Sequence, residues 1–154
     1  MFPMPSSNER IAGIDYGTVR IGIALADTDV GIATPLANYT RRGEALDAAY
    51  FQKLAGDEGI AQFVVGLPVH LHGGESAKSA EARAFGTWLT KVTGVPVTFF
   101  DERFTSVEAD ELLGAAKLTK KQRQARRDQL AAQIMLTAYL ESGGRGEDAP
   151  GGIE

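Results

Sequence analysis

Asp15 closes the stretch RIAGID, Glu102 follows Asp101 at the end of VPVTFF, and Asp128 opens RDQLAAQIMLTAYLE. Each of these acids stands at the border of an apolar segment. Carboxylates gathered from distant segments repel one another, and their pKa values rise unless a cation lies between them. Hard oxygen ligands with open positions suit Mg²⁺ or Mn²⁺, which keep bound waters and take phosphate oxygens. Two such ions about 3.5 to 4 Å apart can activate water and stabilise the leaving oxygen of a phosphodiester. That chemistry requires neither a histidine base nor a nucleophilic side chain. The chain has no cysteine, so disulfides and thiolate zinc sites are excluded.

Each acid also has a plainer role open to it. Asp15 precedes Tyr16, Gly17 and Thr18, and an aspartate beside such a turn often bonds its own backbone. Asp101 and Glu102 could cap a helix or pair with Arg103. However, Thr105 and Glu108 form a capping box of their own in TSVE, which leaves the two upstream acids without that duty. Asp128 could lie on a solvated helix face. Yet positions 128, 131, 132, 135 and 139 follow one helical face and read Asp, Ala, Ala, Met, Tyr. A carboxylate that begins an inward face needs partners, because an unpaired buried charge is costly.

Basic residues concentrate just before Asp128. KLTKKQRQARR holds six cations (Lys117, Lys120, Lys121, Arg123, Arg126 and Arg127) and no acid, within a chain whose net charge is −4. The stripe is either a solvated face or a contact for nucleic-acid phosphates next to the candidate metal site. Arg20 and Lys78 join these candidate nucleic-acid contacts, Lys78 from the GGESAKS segment that opens a helix. His70 and His72 read as loop residues beside a glycine turn, since two histidines are too few for a dedicated zinc site and Mg²⁺ avoids imidazole.

Elements able to bring the acids together follow from periodicity. Strands are predicted at 10–15, 19–26 and 30–39 as an antiparallel meander, with Pro35 fitting an edge position. GEALDAAYFQKLAGDEG predicts a helix whose inward face is Leu46, Ala49, Tyr50 and Leu54. IAQFVVGLP reads as a strand buried on both faces. ESAKSAEARAFGTWLTKVTG predicts a second helix, with Ala77, Ala80, Ala84, Phe85, Trp88 and Leu89 on one side and Gly94 as C-cap. VPVTFF is the fifth strand, a third helix starts at Thr105, and RDQLAAQIMLTAYLE is the final helix. Crossover helices make strands one, four and five parallel, and sites in such sheets form at the strands' carboxyl ends.

With 154 residues, 44% of them apolar, the chain has the size of one domain, expected over 1–141. The stretch 142–154 is Gly-rich and acidic and reads as a disordered tail. No window approaches the roughly 18 apolar residues of a membrane span, and MFPMPSSNER lacks a signal core, so the expected location is cytoplasmic.

GIDYGTVRIGIA, VVGLP, FFDERFTSVEA and RRDQLAAQIML, taken in this order over residues 10–141, resemble the YqgF family of proposed pre-16S rRNA nucleases, also described as proposed Holliday junction resolvases. The resemblance implies an α/β, ribonuclease H-like fold: a five-stranded mixed sheet, first three strands antiparallel, helices on both faces. It puts the family's acidic residues on Asp15, Glu102 and Asp128, serving as both catalytic residues and metal ligands, with Mg²⁺ or Mn²⁺ as cofactor. The implied activity is endonuclease action in pre-16S rRNA 5′-end processing, and junction cleavage is the older suggestion. Partners would be structured RNA or branched DNA, acted on by a monomer or homodimer. In the loop after GLP the family has asparagine and aspartate where this chain has His70 and His72. Two other classes remain open. One is a non-catalytic nucleic-acid-binding module; the other is a small ATP-dependent phosphotransferase, since DYGT also resembles the phosphate loop of the actin and sugar-kinase superfamily.

Overall fold

The structure is a computed structural model; it describes residues 9–68, 77–102, 119–144 and 147–148, with backbone alone for 120, 123–129 and 147–148. Strands β1 (Arg10–Asp15), β2 (Arg20–Asp27) and β3 (Ala33–Thr40) form an antiparallel meander. Helix α1 (Glu44–Glu58) returns the chain to β4 (Ile60–Leu67), which pairs parallel with β1. Helix α2 (Ala77–Thr93) leads to β5 (Val97–Asp101), parallel to β4. The last helix, α3, spans Lys120–Glu141.

The five strands lie in the order β3-β2-β1-β4-β5, the expected mixed sheet. Pro35 is on the edge strand, opposite Ala24 where the register shifts, so its missing N–H costs no inner ladder bond. A two-residue strand, β6 (Glu147–Asp148), extends the sheet antiparallel to β5 within the segment whose composition reads as disordered. The helix expected from Thr105, the loop with His70 and His72, and Lys117 lie outside the described residues.

Alternation along the strands divides the core in two. Ala12 and Ile14 of β1 face α1 and α2, together with Ile21, Ile23, Phe63 and Val65. Ile11 faces α3, with Ala24, Val64 and Phe100. Gly13 lies on that second face, where a Cβ would come within 2.9 Å of Leu136 Cβ and 3.2 Å of the Ala132 carbonyl oxygen. A glycine in β1 and an alanine in α3 thus let helix and sheet meet closely.

Three expectations need correction. The inward side of α1 is Asp47, Phe51 and Leu54, while Leu46 is 57% exposed. Phe51 has the larger apolar surface to bury and packs edge-on against Phe63, Phe85 and Trp88, which turns the helix toward it. In α2 the buried face is Ser79, Ala82, Phe85, Gly86, Leu89 and Thr90, not Ala77, Ala80 and Ala84. Small residues face the sheet there because Phe99 presses against Gly86. Finally, α3 begins at Lys120, so the basic residues from Lys120 to Arg127 belong to the helix. Thr119 Oγ1 accepts from Gln122 N–H at 3.1 Å, and Gln122 Oε1 accepts from Thr119 N–H at 3.0 Å, a capping box placed inside a run of cations.

Candidate active site

Asp15 is the last residue of β1, two beyond Gly13, so it belongs to the face that α3 covers. In the sheet it pairs with Gly22 of β2, and Gly22 pairs with Asn38 of β3. On the other side, the pairing of Ile14 with Val65 brings Gly66 of β4 beside Asp15. Asp15 therefore has a glycine on each neighbouring strand, and the sheet surface around it is open.

Glu102 fills part of that opening. Gly66 pairs with Phe100 of β5, and alternation sends Glu102, rather than Asp101, to the same face as Phe100. The Glu102 side chain lies against Gly66, with Cδ at 2.8 Å and Cγ at 2.9 Å from where a Cβ would stand. Both acids line a cavity of about 430 Å³, whose walls also carry Arg20, Asn38, Lys78 and Glu81. Burial pushes the Glu102 carboxyl up to about 8, and the charges of Asp15 and Asp101 push the same way.

Among the described residues, no three acidic or imidazole side chains are grouped to hold a metal ion. Asp128 lies in α3 one turn before Ala132, on the helix that covers the Asp15 face, and its side chain is outside the described set. The donors present are hard carboxylate oxygens, and a divalent cation held by Glu102 and Asp15 would offset both the burial that raises Glu102 and the neighbouring negative charges that add to it. Mg²⁺ and Mn²⁺ fit this donor chemistry; a soft, thiolate-seeking metal does not.

The predicted basic residues divide by position. Arg20, from the start of β2, and Lys78, from the first turn of α2, both line the acid-bearing cavity. Lys121 is exposed in the first turn of α3, and Lys120, Arg123, Arg126 and Arg127 occupy the same helix. Sequence reasoning missed Gly22, Gly66 and Asn38. Glycines inside otherwise apolar strands are a usable signal of a close approach, but the row from Asp15 to Asn38 exists only through strand register.

A mixed sheet in this order, helices on both faces and an acid ending the central strand define the ribonuclease H-like class of fold. RuvC of Thermus thermophilus, solved in complex with Holliday junction substrate, superposes with a TM-score of 0.52 at 14% identity, covering 91% of this chain and 99% of RuvC. A second Thermus thermophilus RuvC structure gives 0.51 at 16% identity. The chain belongs to the RuvX family: residues 9–142 match its sequence model, which is described as Holliday junction resolvase. A Rhodopirellula baltica protein named "Putative pre-16S rRNA nuclease" is 48% identical over 133 residues, 86% of this chain and 77% of that protein. One of the same name from Rhodobacter capsulatus is 41% identical over 85% of this chain and 82% of its own length. No described helix is long and apolar enough to cross a membrane.

Proposed function

We propose that this protein is a metal-dependent endonuclease that hydrolyses phosphodiester bonds in pre-16S rRNA 5′-end processing. The observation that carries the reading is the shared cavity: Asp15 and Glu102, 87 residues apart in the chain, line it together with Arg20 and Lys78. Asp15 and Glu102 would hold Mg²⁺ or Mn²⁺, with Asp128 of the covering helix as the third ligand. When bound, the ion lowers the pKa of water and offsets charge on the phosphate.

The rest of the task falls to this chain's own groups. Arg20 and Lys78 bind and orient the phosphates that flank the scissile bond. Gly22 puts no side chain beside Asp15 on β2, which lets a phosphate approach the sheet there, while the bare Gly66 on β4 seats Glu102. Glu102 keeps its proton at neutral pH until a cation displaces it. The α3 cations Lys120, Lys121, Arg123, Arg126 and Arg127, with Lys117 before them in the sequence, add phosphate contacts ahead of Asp128.

Junction cleavage is the second reading, favoured by the RuvX family description and by the RuvC fold. RNA is preferred because relatives at 48% and 41% identity bear the rRNA nuclease name, whereas RuvC shares only 14%. A matched assay decides. Wild type and Asp15→Asn are compared, with Mg²⁺ or Mn²⁺, on a precursor 16S rRNA fragment and on a four-way DNA junction. Cleavage of RNA by wild type alone is the expected result. Cleavage of the junction alone makes the protein a resolvase, and binding of both substrates without cleavage by wild type makes it a non-catalytic module.

A further inference from the structure

The loop that follows Asp15 is gripped from the opposite side of the sheet. Alternation turns Tyr16 toward α2, where its ring packs on Phe85 with centroids 5.0 Å apart. The Tyr16 hydroxyl accepts a 2.9 Å hydrogen bond from Arg41 Nη1. The same guanidinium stands 5.4 Å from the centroid of the Tyr16 ring and 5.9 Å from that of Phe85. The backbone N–H of Arg41 donates to the Val19 carbonyl at 2.9 Å. One residue thus holds both ends of the turn joining β1 to β2. Within that turn Gly17 lies against the Arg20 carbonyl, where no other side chain would fit.

Arg41 is itself fixed by Asp47, whose side chain is fully buried. Arg41 Nε lies 3.2 Å from Asp47 Oδ2, while Oδ1 accepts from the Tyr39 hydroxyl at 2.6 Å and from Arg42 N–H at 2.9 Å. Burial alone would raise the Asp47 pKa, but hydrogen bonds from Tyr39, Arg42 and Arg41, with the charge of Arg41, hold it below the ordinary carboxylate value. A buried ion pair is seldom more stable than apolar packing of the same volume. What a fully satisfied network adds is one defined geometry.

We propose that Asp47 and Arg41 are positioning residues for the reaction: acting through Tyr16 and Val19, they hold the Asp15–Arg20 turn, and with it the Asp15 carboxylate and Arg20, in the geometry that binds the cation and substrate. This rests on the reading of Asp15 as a cation-holding carboxylate. The two can fail separately, because one readout of the brace needs no metal.

Tyr16→Phe keeps the ring on Phe85 and deletes only the bond to Arg41; Arg41→Lys keeps a cation for Asp47 but cannot fork to Tyr16. For both variants, amide hydrogen exchange at Gly17, Thr18 and Val19, Mn²⁺ affinity by titration, kcat and KM on the RNA fragment, and thermal midpoint are measured. Faster exchange confined to the turn, Mn²⁺ binding about tenfold weaker and a lowered kcat at little-changed KM are expected. A lowered thermal midpoint with wild-type exchange and wild-type Mn²⁺ affinity overturns the proposal, leaving a core network with no role in positioning. If wild type binds no Mn²⁺ while exchange at the turn still rises in both variants, the brace stands and the metal reading fails.

Discussion

The side chain of Glu102 occupies the space that a Cβ on Gly66 would need. An acid just past the end of β5 is thereby seated over a bare position of β4, next to the strand that carries Asp15. The seat couples a strand glycine to the geometry of the site.

Gly66→Ala tests this coupling. The added methyl meets the Glu102 carboxyl and Cγ rather than backbone, so the flexible acid yields while the sheet persists. Cleavage should fall about a hundredfold, the usual consequence of misplacing a reacting group by about 1 Å. The thermal midpoint should move by only a few degrees. Cleavage rates and a melting curve on the same preparation check it; full activity in the variant would show that Glu102 is not positioned by this contact.

The pKa of Glu102 sets a second expectation. In the cation-free protein it is about 8 against 4.5 for an unperturbed glutamate. Between those values the folded chain keeps a proton that the unfolded chain has released, so folding stability falls as pH rises from 4.5 toward 8. Glu102→Gln removes this loss: relative to wild type the variant should melt progressively higher with rising pH, the gap opening across that window and levelling above it. For wild type, Mg²⁺ or Mn²⁺ must displace the proton, so affinity should strengthen by about tenfold per pH unit up to the carboxyl's pKa. Melting curves and Mn²⁺ titrations across roughly pH 5 to 9, in buffers of constant ionic strength, give both trends.

Arg20 and Lys78 share the cavity with the acids and supply positive charge there. Arg20→Ala and Lys78→Ala should each weaken RNA binding without changing sequence preference. Each should also flatten the plot of log affinity against log salt by roughly 0.7 to 0.9 for every phosphate that the side chain neutralises in the wild type. Binding isotherms at several salt concentrations measure the slope, and an unchanged slope in either variant would remove that side chain from the phosphate-binding set.

Much of the fold was legible in the sequence because local patterns carry it. The meander shows in the spacing of its turns, β4 in the unbroken apolar run through Val64 and Val65, and the edge position of β3 in Pro35. The helix faces were less legible. Asp47 counts as a polar residue in any hydrophobic pattern, yet it is fully buried because Tyr39, Arg41 and Arg42 saturate its oxygens. Leu46 counts as apolar and is largely exposed.

The sequence by itself determined which residue types are available: carboxylates at the ends of apolar segments, cations ahead of Asp128, and glycines at Gly22 and Gly66. Tertiary structure alone decided which of them meet. Whether Glu102 or Asp101 shares a face with Asp15 depends on the register of β4 against β1 and β5. The same holds for Asn38, aligned with Asp15 through Gly22, and for Asp47, linked to the Asp15 turn through Arg41 and Tyr16. Periodicity describes how one segment divides between core and solvent, whereas these contacts join segments far apart in the chain and exist only once the strands have paired.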